Sequence, residues 1–313
     1  MKFNYERIRR RMKKIILKAK DGYKLNLHIF EAPDKENIKG YVQIIHGMEE
    51  HQGRYEAFAS VLNNAGYTVI SSDMRGHGKG APELGFFKEK DGYKYILSDQ
   101  KRITCYIRKR FKTSKVIIFA HSMGTIIARC LMQSQSWNYE KVILSGYPCS
   151  PGIAALGFGI VLTSIISKAK GAKYYSKFVQ DISTGSFNKG MESQETGIEW
   201  ISADKDNIQA YINDPYCGHG FKVSAYNDLF HLTKNMSEIW RYRNVNKELP
   251  VLALRGGEDV SAGFDKGSQS SIRTLSLAGF KNIRQIVYKG MRHEILNEAE
   301  KEKVYRDVLE FLG

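Results

Sequence analysis

Cysteine is sparse in this 313-residue chain: Cys105, Cys130, Cys149 and Cys217 lie far apart, with no C-x-x-C pair. That spacing argues against a disulfide-built scaffold and a cysteine-ligated metal site. It predicts free thiols in a reducing, cytoplasmic setting. No secretory signal is read at the start, because Ile15-Ile16-Leu17 is far too short an apolar run. No internal repeat or low-complexity tract is present. Acidic residues are outnumbered, 33 against 48 Lys and Arg, for a formal net charge of +15. The excess is local: residues 1–20 carry nine basic side chains against Glu6 alone, which is +8 of the total. Residues 1–13 therefore read as a basic arm outside the fold. Its plain reading is a solvated tail. Its functional reading is weak attraction to anionic lipid, about 1 kcal/mol per basic residue at such a surface. No nucleic-acid motif accompanies the charge, so no nucleic-acid partner is expected.

Hydrophobic residues make up 42% of the chain, enough for a substantial core. Short β-rich runs alternate with helix-length amphipathic ones. Strands are expected at 14–19, 24–31, 40–45, 67–72, 115–120, 141–145, 250–255 and 283–288. Helices are expected at 54–65, 95–111, 123–134, 266–279 and 298–312. Runs such as Tyr41-Val42-Gln43-Ile44-Ile45 and Val142-Ile143-Leu144 are nearly continuously apolar, as parallel strands covered on both faces are. The alternation predicts an α/β fold with a mostly parallel, doubly wound eight-stranded sheet, led in by an antiparallel pair at 14–31. Residues 14–146 and 250–313 form this core.

Between 147 and 249 the alternation stops. This stretch reads as a mainly helical cap over the site. Within it, Gly152 to Ser167 holds no charged residue, though a membrane-spanning helix needs about 20 such positions. A buried cap helix is the expectation. A lipid-facing or acyl-facing lid is the alternative, helped by Lys168, Lys170, Lys173 and Lys177 on its flank. Ile153, Leu156 and Phe158 are its candidate substrate contacts.

The most informative stretch is Ala120-His121-Ser122-Met123-Gly124-Thr125, set between an apolar strand and a helix. It is close to the G-x-S-x-G elbow, with Ala120 in place of the first glycine. Small neighbours are needed because the turn is tight and the helix packs close to the strand. A serine there needs a base, an orienting acid and donors for an oxyanion. His293 follows the last strand, where ligands bind in such sheets. His77 competes, but it precedes the serine in chain order. His28 reads as a surface residue. His121 adjoins the serine and would point away from it as a base, but is a candidate substrate contact, and His219 and His231 fall in or near the cap. The acid should follow the strand at 250–255. Among Glu258, Asp259 and Asp265, Asp259 is favoured: it is close to the strand end, and Gly256 and Gly257 permit the turn. The order Ser122, Asp259, His293 is that of the strand–turn–helix serine hydrolases. The oxyanion donors are the N–H groups of Met123 and of Met48. Gly47 lets that second loop approach the substrate.

These residues carry a resemblance. His46-Gly47-Met48-Glu49-Glu50-His51-Gln52-Gly53-Arg54-Tyr55 resembles the HGxxEHxxRY segment of the monoacylglycerol lipase and lysophospholipase-like branch of the α/β-hydrolases. Asp73-Met74-Arg75-Gly76-His77-Gly78 is similar to its DxRGHG loop. Asp214-Pro215-Tyr216-Cys217-Gly218 and Arg292-His293-Glu294-Ile295-Leu296-Asn297-Glu298 also fit. The likeness spans about residues 20–313. The acid loop departs from it, since Asp259 lacks the proline that often follows. The resemblance implies a cofactor-free, metal-free serine esterase. Its substrate would be a small-molecule ester, most simply a single-chain lipid such as a monoacylglycerol or lysophospholipid. A short-chain or aryl carboxylesterase is a second possibility. An aminopeptidase-like hydrolase is a third, for which Glu192, Glu195 and Glu199 could bind an amine. A peripheral membrane or partner-binding protein with an unused triad is the alternative of another class. Dehalogenase and epoxide hydrolase chemistry is disfavoured, because their nucleophile is an Asp and position 122 is Ser.

Overall fold

A computed structural model describes residues 12–189, 191 and 193–313. Most of the basic arm and Glu192 therefore lie outside the described residues. The eight expected strands are all present: β1 (Lys13–Lys18), β2 (Lys24–Phe30), β3 (Gly40–Ile45), β4 (Tyr67–Ser72), β5 (Val116–His121), β6 (Tyr139–Ser145), β7 (Val251–Gly256) and β8 (Ile283–Tyr288). They form one sheet in the order β1-β2-β4-β3-β5-β6-β7-β8. β2 runs antiparallel to β1 and β4, and the strands from β4 to β8 are mutually parallel. This is the doubly wound α/β-hydrolase sheet.

Strand alternation explains why both faces are covered. In β5, Val116, Ile118 and Ala120 join one core, while Ile117 and Phe119 join the other. Side chains two apart share a face, so an unbroken apolar strand feeds two cores at once. The helices α1 (Glu56–Asn64), α2 (Gly92–Phe111), α3 (Met123–Gln135), α8 (Phe264–Leu277) and α9 (Lys301–Leu312) cover these faces. Phe58 of α1 and Tyr305 of α9 meet at 5.5 Å between ring centroids, and Phe58 also packs on Phe119 at 4.5 Å.

The interval between β6 and β7 holds α4 (Ile153–Lys170), α5 (Lys177–Ser183), α6 (Lys205–Asn213) and α7 (Val223–Ser237). Its described residues contain no named strand, only an isolated bridge between Tyr175 and Lys222. The expectation of a buried helix here is overturned. In α4 only Leu156, Gly159 and Thr163 are buried. Those three fall at i, i+3 and i+7, one stripe laid on α7. Phe158, Val161 and Ile165 form the opposite stripe and are exposed. The sequence misled because α4 is apolar all round, so its pattern carries no inward direction.

Candidate active site

The elbow takes its shape from two close approaches. Ser122 adopts φ 51° and ψ −121°, a left-handed-side conformation that costs a non-glycine residue about 1–3 kcal/mol and persists where the surroundings impose it. Gly124, two residues on, lies so near β3 that a Cβ there would stand 2.2 Å from the Ile45 carbonyl oxygen and 2.7 Å from that of His46. Ala120 is fully buried in β5. The α3 N-terminus follows directly, so its amides and the positive end of its dipole face the serine.

Three strand-end loops converge on that serine. Ser122 Oγ donates to His293 Nε2 at 2.7 Å. His293 Nδ1 donates to Asp259 Oδ2 at 3.0 Å. Asp259 is entirely buried and 34 residues from His293 in sequence. Its other oxygen accepts from the Ser261 amide (2.9 Å), the Ser261 hydroxyl (2.7 Å) and the Ala262 amide (3.3 Å). Burial alone would raise the Asp259 carboxyl. The His293 charge and these donors outweigh it and hold Asp259 below the ordinary carboxylate value. At His293 burial pulls the imidazole down, and Asp259 reverses the sign, leaving it above its usual value. Ser261 was not legible in the sequence. Its hydroxyl donates to the acid and lies 2.9 Å from His293 Nδ1.

The other candidates fall elsewhere. Asp265 pairs with Arg255 and its side chain is largely exposed, as is that of Glu258. His77 is buried between Phe87 and Phe221 and donates to the Arg75 carbonyl. His28 is half-buried in β2 rather than on the surface. His231 stacks on Tyr93, and His219 packs against His77. His121 is buried beside His293, 4.9 Å between ring centroids, and burial pushes it down to about 3. His121 is also among the residues that line the pocket at Ser122.

The loop after β3 lies against Ser122. A Cβ on Gly47 would stand 3.0 Å from Ser122 Cβ, so no larger residue fits without moving one loop. His46 anchors this loop: Nε2 accepts from the Met74 amide at 3.0 Å and Nδ1 donates to the Gly47 carbonyl at 2.8 Å. Glu50 anchors it from the other side. Its Oε1 accepts from the Gly47 amide (2.5 Å) and the Tyr55 hydroxyl (2.7 Å). Arg54 then bridges Glu50 to Glu294, the residue after His293, and reaches Asn207 of α6 at 3.1 Å. Burial raises both carboxyls. The forked Arg54 contact overcomes it at Glu294, which is held low, whereas Glu50 faces the Glu294 charge and stays raised. One buried cation thus ties the glycine loop, the histidine loop and the inserted helices together.

Two pockets meet at Ser122. One, of about 460 Å³, is lined mainly by apolar side chains, including Met123, Ile126, Leu156, Phe178 and Leu229. Phe158 stands at its rim, still exposed, but Ile153 does not line it and faces solvent. The other, of about 310 Å³, is polar and lined by Gly47, Glu49, Asp181, Tyr211 and Glu294. Met48, Trp200 and His293 border both. A larger cleft of about 850 Å³ lies beyond Arg54 and does not reach Ser122. Glu199, once a candidate for amine binding, is occupied by Asn188 and Thr196, and Glu195 is exposed outside the pockets.

The sequence matches the family model described as serine aminopeptidase, S33, over residues 36–300. It is 25% identical over 283 residues to a monoacylglycerol lipase of Mycolicibacterium smegmatis, covering 90% of each chain. It is 32% identical over 274 residues to a monoglyceride lipase homolog of monkeypox virus, covering 85% of each. A thermostable carboxyl esterase from Bacillus coagulans superposes with a TM-score of 0.87 at 21% identity, over 96% of this chain and 97% of that one. That last likeness is one of fold. The chain thus belongs to the serine aminopeptidase S33 family and is a serine hydrolase built on the α/β-hydrolase fold.

Proposed function

We propose that this chain hydrolyses esters of single-chain lipids, a monoacylglycerol or lysophospholipid, with Ser122 as nucleophile, His293 as base and acid, and Asp259 as its orienting partner. The observation that carries the reading is the pair of unlike pockets on either side of Ser122. An apolar chain suits the Leu156–Leu229 side and a polar alcohol suits the Glu49–Asp181 side. Similarity to the mycobacterial and viral lipases supports it.

The geometry supports a two-step reaction. Ser122 Oγ bonds to the ester carbon while His293 Nε2 takes its proton. The carbonyl oxygen becomes an oxyanion facing the Met48 and Met123 amides, donors of a kind worth about 10²–10³ in kcat each. The carbon–alkoxy bond breaks and His293 returns the proton to the departing alcohol. Water then gives a proton to His293 and its oxygen to the acyl carbon. The bond to Ser122 breaks, the serine recovers its proton, and the fatty acid leaves. Turnover of a panel of glycerol, glycerophospho and p-nitrophenyl esters of rising chain length tests the reading. Preference for long single chains is expected. Activity confined to short or aryl esters would point to a general carboxylesterase.

The base works only when neutral, so kcat/KM should fall as pH drops through the His293 value. Because Asp259 holds that value above the ordinary 6.5, the acid limb should sit above 6.5. Asp259→Asn should move the limb to lower pH and cut kcat by about 10⁴. A pH–rate profile of both proteins checks the sign.

The inserted helices form the cap in this reading, and the exposed stripe of α4 favours their contact with a lipid surface. Val161 and Ile165 line neither pocket at Ser122. The double change Val161→Ser, Ile165→Ser is expected to weaken partitioning to anionic vesicles at least about tenfold, since each buried CH₂ is worth about 0.8 kcal/mol. Turnover of a soluble ester should stay within about twofold. A vesicle co-sedimentation assay separates the two effects; loss of both would point to misfolding instead.

A further inference from the structure

The HGxxEHxxRY resemblance leaves position 49 open, and this chain fills it with a glutamate whose setting is unusual in three ways. Its backbone has φ 53°, where glycine is at ease and a side chain is not. It is buried, only 6% exposed, and it lines the polar pocket at Ser122, one residue from Met48. It also lacks a cation. Of the other carboxylates in that pocket, Glu50 and Glu294 share Arg54, and Asp181 pairs with Lys177. Glu49 has no ion pair among the described residues, and no Lys or Arg lines the pocket.

The residue is held there firmly. The Glu49 carbonyl accepts from the Gly218 amide at 3.0 Å and the Tyr211 hydroxyl at 2.9 Å. Its carboxyl meets the Gly220 amide, and burial lifts it to about 7. The Tyr226 side chain is buried, and its foremost charged neighbour is Glu49. Buried carboxylates are normally paired, and backbone strain retained beside a nucleophile signals a use for the side chain.

We propose that Glu49 is a specificity-determining residue that receives an ammonium group on the leaving alcohol, so that the site prefers cationic esters and rejects phosphate-bearing ones. This rests on the ester-hydrolase reading above and narrows it: of the two lipid classes named there, it disfavours the lysophospholipid, whose leaving alcohol carries phosphate. A cation in the pocket supplies the missing ion pair. A phosphate there meets Glu49, Glu50, Asp181 and Glu294 with no lining Lys or Arg. Neutral glycerol falls between.

The test uses three octanoyl esters with one acyl chain: octanoylcholine, 1-octanoylglycerol and 1-octanoylglycerol 3-phosphate. The full chain is compared with Glu49→Gly, which suits φ 53°, and Glu49→Gln, which keeps the size. Assays run at pH 8.5, above the Glu49 value; His121, His293, Glu50, Asp181, Glu294 and Tyr211 also face the pocket and are common to all three proteins. The expected wild-type order in kcat/KM is choline, glycerol, phosphate, with about 100-fold between the extremes. That ratio should shrink at least tenfold in both variants. A choline ester no better than the glycerol ester, or a ratio unchanged within twofold in both variants, overturns the assignment of Glu49 alone. No turnover of any ester by a protein whose Ser122 still reacts with a fluorophosphonate overturns the ester reading and this assignment with it.

Discussion

Ser122→Ala should lower kcat by about six orders of magnitude and abolish labelling by a fluorophosphonate. The size follows from cooperation within a triad: once the nucleophile is gone, the base and acid have nothing to act on, and only oxyanion donors and binding remain. The fold should hardly notice. Alanine meets the same backbone strain at φ 51° as serine does, and the substitution deletes one hydrogen bond, that to His293 at 2.7 Å. Stability should shift by about 1 kcal/mol. Labelling and turnover, with a thermal melt on the same preparation, check both halves. Full labelling of the variant would move the nucleophile elsewhere and sink the mechanism.

Gly124→Ala is expected to damage both stability and rate, through one added methyl group. That methyl would lie 2.2 Å from the Ile45 carbonyl oxygen, a backbone atom in the middle of the sheet that cannot swing aside. The helix start must move instead, and it carries Met123 and Ser122. Overpacking of this kind costs about 1–3 kcal/mol or more. A displacement near 1 Å at the reacting groups costs about 10² in rate. Denaturant unfolding and kcat/KM on a soluble ester measure the two losses. A variant with unchanged stability would show that α3 and β3 are less tightly apposed than the geometry states. The same substitution at Gly157 of α4, where a Cβ meets nothing within 4 Å, is the matched control for adding a methyl group to a helix.

The sheet was legible because its strands are short, apolar and bounded. β3, β4 and β8 start and stop where the residue pattern puts them, and the others differ by one or two positions at one end or both. Ser122, Asp259 and His293 could be singled out because each follows a parallel strand, and strand ends on one edge of a sheet are neighbours in space. The polar scaffolding was less visible. Nothing in the spacing of Glu50, Arg54 and Glu294 says that a single guanidinium joins them, since that contact spans 240 residues between Arg54 and Glu294. Ser261 is an ordinary loop serine until its hydroxyl is seen against Asp259. For α4 the failure was of another kind. A helix with apolar residues on every side can be placed either way round, and only its packing on α7 decides which side is left bare.

The sequence separation across the Ser122–His293 hydrogen bond bears on when the proposed site can form during synthesis. Ser122 and His293 are 171 residues apart, with the inserted helices, β7 and β8 between them. On a ribosome adding about 5–20 residues per second, roughly 10–30 s separate the synthesis of the two. The elbow, with β3 and β5 around it, is made first and waits without a base. In the mechanism proposed above, the nascent chain is expected to stay silent toward esters until the strand preceding His293 has docked at the far edge of the sheet. Interrupted synthesis is then expected to yield an inert fragment.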